Sequence, residues 1–143
     1  MNQIVVKDLN KKDQMLEAFD LVSQIYDKMS FADFEKKLDE MILRNDYKMV
    51  AAFLGEKMIG VSGYSISLML YCGRYLQASN LVVDLDFRKK GVGKILLNCL
   101  EQIAKNHDCQ KFVLDSYTEN KKSHPLYFRE GFYIRGFHFM KDL

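Results

Sequence analysis

The stretch that most constrains this chain is Asp86-Phe87-Arg88-Lys89-Lys90-Gly91-Val92-Gly93-Lys94. The apolar run Leu81-Val82-Val83 precedes it. Val92, Ile95, Leu96, Cys99, Leu100, Ile103 and Ala104 follow at helical spacing. The loop therefore joins an extended strand to an amphipathic helix, and its cations and glycines stand where that helix begins. Helix N-termini carry unpaired backbone N–H groups and the positive end of the helix dipole. Glycine lets a ligand come close to that backbone, so a phosphate-bearing ligand is the natural occupant.

Composition narrows the classes of function. A chain of 143 residues fits one domain, 1–143, with a core of its own. A formal net charge of +2 is too small to argue for nucleic acid. The longest apolar run, Met49 to Leu54, is far short of the roughly 20 residues that span a bilayer. No charged segment with an apolar core opens the chain as a signal peptide would. Cys72, Cys99 and Cys109 form no close pair, so neither a disulfide framework nor a metal site is expected, and a reducing cytoplasm is.

The period of the apolar residues assigns the elements in order. Ile4 to Val6 reads as an edge strand. Met15, Leu16, Phe19, Val22, Ile25 and Tyr26 read as a helix. Ser30 caps a second helix with Phe31, Phe34, Leu38, Met41 and Ile42 on its apolar face. The period then shortens to two: Lys48 to Leu54, Met58 to Leu70 and Tyr75 to Asp84 read as strands joined by turns at Gly55 and Gly73. Gly60 and Gly63 inside the middle strand signal a bulge or a close backbone approach. After the loop and its helix, Lys111 to Leu114 reads as a strand parallel to Tyr75–Asp84, because a helix connects the two. Ser123-His124-Pro125 opens a short helix that Gly131 closes. Tyr133 to Met140 reads as a last strand. The fold class is α/β with a mixed, mostly antiparallel sheet.

Three phosphate-binding patterns compete for the loop. A Walker P-loop needs G-x-x-x-x-G-K-[ST], but position 88 is Arg and position 95 is Ile. A Rossmann fingerprint needs a third glycine where Leu96 stands, in the first strand-to-helix turn. The third pattern fits. Arg88-x-x-Gly91-x-Gly93 between strand and helix resembles the acyl-CoA-binding motif of the GNAT superfamily of N-acetyltransferases. Ser123-His124-Pro125-Leu126-Tyr127-Phe128-Arg129-Glu130-Gly131-Phe132 resembles the family's second signature. The element order is similar as well, so the resemblance covers essentially the whole chain.

The resemblance implies a central sheet with a V-shaped splay between its two parallel strands, flanked by helices. It implies acetyl-CoA as acyl donor, with the diphosphate at Arg88, Lys89, Lys90, Gly91, Val92, Gly93 and Lys94. The pantetheine arm would follow the main chain of Leu81, Val82 and Val83, and Asn120 would touch the cofactor. A backbone N–H at Val83 would face the thioester oxygen that becomes an oxyanion. Tyr127 would protonate the departing thiolate. Transfer would go directly to a primary amine of a small molecule or peptide, with no metal and no acyl-enzyme. Cys99 and Cys109 sit where small apolar residues belong.

The general base is not legible. Gln77 occupies a position where some relatives carry Glu and cannot serve. Asp115, Glu119 and His124 remain, each acting through water. Acceptor specificity is expected from Leu16 to Arg44 and from the Gly55 and Gly73 turns. Phe31, Phe34 and Tyr47 either line an acceptor groove or, as is commoner for such residues, pack the helices on the sheet. Acidic residues at 33, 35, 39 and 40 either attract a cationic amine or form a solvated helix face. A homodimer is a family-level expectation. The competing reading is a CoA-binding regulatory domain without turnover.

Overall fold

The computed structural model describes residues 3–143. The elements are β1 (Ile4–Leu9), α1 (Lys12–Leu16), α2 (Phe19–Val22), α3 (Phe31–Asn45), β2 (Lys48–Leu54), β3 (Lys57–Met69) and β4 (Gly73–Val83). A 3-10 turn (Leu85–Phe87), α4 (Val92–Asn106), β5 (Lys111–Leu114) and α5 (His124–Arg129) complete them. The strands lie in the order β1-β2-β3-β4-β5. Successive pairs are antiparallel except β4 and β5, which are parallel. The helical connection through α4 requires that exception. No helix among the described residues is long and apolar enough to cross a membrane.

Helices cover both faces of the sheet. Met49 and Ala51 of β2 pack with Met15, Leu21, Phe34 and Leu38 on the α1–α3 side. Val50 and Ala52, one residue out of phase, pack with Val92, Leu96 and Leu100 on the α4 side. This two-sided burial explains why β2 is apolar throughout rather than alternating. Ser30 caps α3 by accepting from the Asp33 N–H at 3.1 Å, and Asp46 at φ 51° ends it. The expected glycine approaches are present. A Cβ on Gly60 would stand 2.9 Å from Val92 Cγ1, and one on Gly63 would collide with the Tyr47 ring.

Three elements differ from the sequence reading. The first strand runs on to Leu9, because polar Lys7 and Asp8 still pair with Ala51 and Val50. The expected first helix is broken into α1 and α2 at Glu17-Ala18, where the Ala18 N–H bonds back three residues to Met15 O at 3.0 Å. That tightening keeps Met15, Ala18, Leu21 and Val22 all buried against the sheet. The strand expected from Tyr133 to Met140 does not form. A strand needs a ladder partner, and β5 offers only Lys111–Leu114. The arm leaves Tyr133, Ile134, Phe137, Phe139 and Met140 exposed.

The β4–β5 ladder runs from Tyr75↔Lys111 to Ala78↔Leu114 and stops. β4 continues to Val83. The strands therefore part company at their C-terminal ends, which is the splay that the resemblance implied.

Two outcomes follow from the packing of Tyr47. Gly63→Ala should lower unfolding stability by about 1–3 kcal/mol, the usual cost of overpacking, measured by denaturant unfolding; a change within 0.5 kcal/mol, about the size of a neutral surface change, would contradict the close approach. Burial pushes the Tyr47 phenol up to about 12, against opposing hydrogen bonds from Asn80 and Ser79. An unfolded tyrosine titrates near 10. Between those values the folded chain holds a proton that the unfolded chain has lost. Stability from this group is thus complete below about pH 10 and falls as pH rises towards 12, by on the order of 2–3 kcal/mol. The stability difference between the wild type and Tyr47→Phe should shift by that amount across the window. A constant difference would show that Tyr47 is not the group responsible.

Candidate active site

The site begins where β4 breaks register. Val61 pairs with Val82, yet Gly63 pairs with Ser79. Asn80 and Leu81 therefore stand opposite Ser62 alone, as a bulge. Asn80 adopts φ +56°, a left-handed conformation that Asn tolerates better than most residues. Its side chain is held on both sides. Tyr26 Oη donates to Asn80 Oδ1 at 3.0 Å, and Asn80 Nδ2 donates to Tyr47 Oη at 2.9 Å. After the bulge Val82 is buried with the α1–α3 core, whereas Leu81 and Val83 pack on the α4 side. From Ser79 to Val83 the edge of β4 nearer β5 has no ladder partner. Its main-chain groups are free for an amide-bearing ligand.

The loop turns at this edge. Asp84 Oδ1 accepts from the Asp86 N–H at 2.9 Å and starts the 3-10 turn. Arg88 Nε donates to Val83 O at 3.4 Å, tying the loop to the end of β4. Lys89 and Gly91 both take positive φ, +63° and +81°. The first α4 bond is Ile95 N–H to Gly91 O at 3.1 Å, so the amides of Val92, Gly93 and Lys94 precede it and face outward. The cations spread apart. Lys90 Nζ stacks over Phe87 at 5.3 Å, Lys94 Nζ lies 4.0 Å from Glu130, and Arg88 points back to β4.

Gly93 has a packing role that the sequence reading missed. A Cβ there would stand 3.1 Å from Leu126 Cδ2 of α5. The missing side chain lets α5, which carries Tyr127, dock on the start of α4. Pro125 lies in the first turn of α5, and Gly131 at φ +93° follows its end. Tyr127 is half-buried, with Phe132 edge-on at 6.2 Å between centroids. Burial pushes its phenol up, and a hydrogen bond with Ser123 opposes the shift. The group is thus a protonated donor at neutral pH. Asn120 Oδ1 accepts from Ser123 Oγ at 3.3 Å, which ties it to the head of α5.

The base candidates have different surroundings. Asp115 Oδ2 accepts from Gln77 Nε2 at 3.1 Å, and His138 Nδ1 lies 3.6 Å away. His124 Nε2 lies 3.1 Å from Tyr117 O and 3.2 Å from Ser116 Oγ, bracing the loop. Glu119 Oε2 accepts from Thr118 Oγ1 at 3.2 Å in solvent. Asp115 directly follows the last residue of β5. His138 was hidden from sequence reasoning because only tertiary folding brings the arm back to Asp115. Tyr26, Asn80 and Tyr47 were hidden as a group for the same reason.

Phe34 and Tyr47 are buried in the core between the helices and the sheet, and both also border a cavity beside the bulge. Phe31 instead packs edge-on against Phe19, at 5.4 Å between centroids.

Comparison with known proteins agrees with this geometry. The sequence model described as "Acetyltransferase (GNAT) family" matches residues 15–132. An uncharacterised N-acetyltransferase of Bacillus subtilis (strain 168), YhdJ, is 23% identical over 141 residues, covering 98% of this chain and 99% of that protein. A GNAT family acetyltransferase of Staphylococcus aureus superposes with a TM-score of 0.76 at 26% identity, with all of both chains covered. The aminoglycoside N-acetyltransferase AAC(6')-Iy, solved in complex with CoA, superposes with a TM-score of 0.78 at 22% identity, covering 100% of this chain and 97% of that one.

Proposed function

We propose that this chain, which belongs to the acetyltransferase (GNAT) family, transfers an acetyl group from acetyl-CoA directly to a primary amine of a small molecule or peptide. The observation that carries the reading is the docking of α5 on Gly93. That contact supports a reading in which the Tyr127 phenol, the outward amides of α4 and the unpaired edge of β4 act on one bound cofactor. The neighbour AAC(6')-Iy, described with bound CoA, supports CoA as the donor.

In this mechanism the diphosphate rests on the amides of Gly91 to Lys94, with Arg88, Lys89, Lys90 and Lys94 adding charge. The pantetheine amides complete the main-chain hydrogen bonds of Leu81, Val82 and Val83, and Asn120 borders the cofactor. The amine attacks the thioester carbonyl carbon, and a Val83 N–H stabilises the oxyanion. Collapse of the intermediate expels the CoA thiolate, which takes a proton from Tyr127. The amine gives up its extra proton through water to Asp115. The domain, 1–143, acts as one unit in the reducing cytoplasm. It works as a homodimer, a reading supported by the open edge of β5 and the exposed apolar arm after Phe132.

Release of free thiol from acetyl-CoA in the presence of a panel of amines tests the reaction. CoA binding with no turnover on any amine would leave a binding domain instead. Tyr127→Phe should lower kcat by about 10²–10⁴-fold, the usual size of general acid catalysis, with CoA affinity unchanged; an unchanged kcat would remove Tyr127 from its role. Arg88→Glu should weaken CoA at least about tenfold, since it puts a like charge at the phosphate site. Equal affinity would refute the cradle.

A further inference from the structure

Resting on that acetyltransferase reading, we propose that the pocket between α2, α3 and β4 receives the acceptor, and that the acceptor is a compact amine with an apolar body and an acidic group. The pocket encloses about 270 Å³, just under the roughly 300–1,000 Å³ of sites for drug-sized ligands. Its walls are Val22, Met29, Phe34, Leu38 and Met41. Its inner end is polar, formed by Tyr26, Tyr47 and Asn80. Asn80 lies within the unpaired strip of β4, so a ligand in the pocket lies next to the place proposed for the thioester.

The chemistry of the walls selects the class. Phe34, Lys37, Leu38 and Met41 project from one face of α3 at helical spacing. Lys37 is the only charged residue lining the pocket among the described residues, and no carboxylate among them lines it. Among the described residues Lys37 has no carboxylate within ion-pairing distance. Three of the four acidic residues considered for attracting a cation are ion-paired elsewhere, and the fourth, Asp33, does not line the pocket. Glu35 and Asp39 pair with Lys12 at 3.4 and 2.7 Å, and Glu40 lies 3.9 Å from Arg44. A polycation entering here would lose water, gain no counter-charge and meet an ammonium. An apolar body gains burial instead, and an acidic group on the ligand gives Lys37 its partner.

The polar end suits an amine. Asn80 and Tyr26 have used one hydrogen bond each on one another, and both oxygens retain acceptor capacity. Burial in an apolar pocket also disfavours the ammonium form. The acceptor therefore enters closer to the neutral nucleophile, which lessens the demand on Asp115. A second cleft, about 450 Å³, lies further down β4 among Ser65, Ser67, Gln77 and Ser79. Its one carboxylate, Asp46, is held by Lys48 at 2.7 Å, so it too offers no free counter-charge to a polycation.

The test is steady-state thiol release by the full chain with phenylalanine, leucine, phenethylamine, spermine and kanamycin, alongside CoA binding. The proposal expects phenylalanine or leucine to exceed phenethylamine in kcat/KM by about tenfold, the effect of one added charge contact, and both to exceed the polycations. Lys37→Glu should raise KM for the acidic amines at least about tenfold and erase their advantage, with CoA affinity unchanged. Met29→Trp, which fills the pocket, should raise KM for every apolar acceptor. Preference for spermine or kanamycin, or a KM indifferent to both substitutions, overturns the proposal and leaves the acetyltransferase reading standing. CoA binding with no thiol release on any amine overturns both.

Discussion

The structure turns on one residue in an unusual backbone conformation. Asn80 at φ +56° puts an extra residue into β4, and the register against β3 slips there. Left-handed backbone costs a non-glycine residue roughly 1–2 kcal/mol, so neighbours must hold it. Tyr26 and Tyr47 do so by hydrogen bonds on opposite sides of the Asn80 amide. Tyr47 reaches that position only because Gly63 has no side chain in its path. Gly63, Tyr47, Asn80 and the free edge of β4 are therefore one dependent series. An ordinary residue at any of the first three closes or redirects the edge on which the proposed chemistry relies.

The cationic loop works differently from what its charges suggest. Four side chains of one sign within a few residues read as an electrostatic clamp, yet Arg88, Lys90 and Lys94 each already touch something else. Arg88 bonds the carbonyl of Val83 and so fixes the loop to the strand. Main-chain amides before Ile95 remain the donors with no competing partner in the helix. The proposed diphosphate site is thus mostly backbone, and its charges tune it. This explains why glycine spacing, rather than the number of cations, carries the motif.

Much of the fold was legible because it is written in local patterns. The apolar run of Lys48–Leu54, the helical stripe after Val92 and the Ser30 cap each depend on near neighbours. Each appears as read. The start of α4 and the short helix that carries Tyr127 were legible for the same reason, since each lies in a contiguous motif. The break at Glu17-Ala18 was not, because it goes with the burial of Met15, Ala18, Leu21 and Val22 in one core, a tertiary matter. The arm after Phe132 has the alternation of a strand, but alternation does not supply a partner strand. Asn80 looked like an ordinary strand residue, and no local pattern links it to Tyr26 and Tyr47. Gly93 was legible as a glycine that mattered, although its contact with Leu126 makes it a docking surface for α5 as well as a turn.

The same distinction separates the two halves of the proposed site. The donor half is built from contiguous backbone, residues 81–83 and 88–94. The acceptor half is assembled from side chains on α2, α3 and β4, and Lys37 and Met29 are not needed to hold the sheet. Among the described residues Lys37 makes no bond to those of the bulge, so changes at Lys37 alter what the proposed pocket prefers and leave Tyr26, Tyr47 and Asn80 in place. Fold and donor can therefore be read from motifs shared across a family. The acceptor has to be read from the charge and shape of this chain's own wall, where one unpaired ammonium faces an apolar cavity.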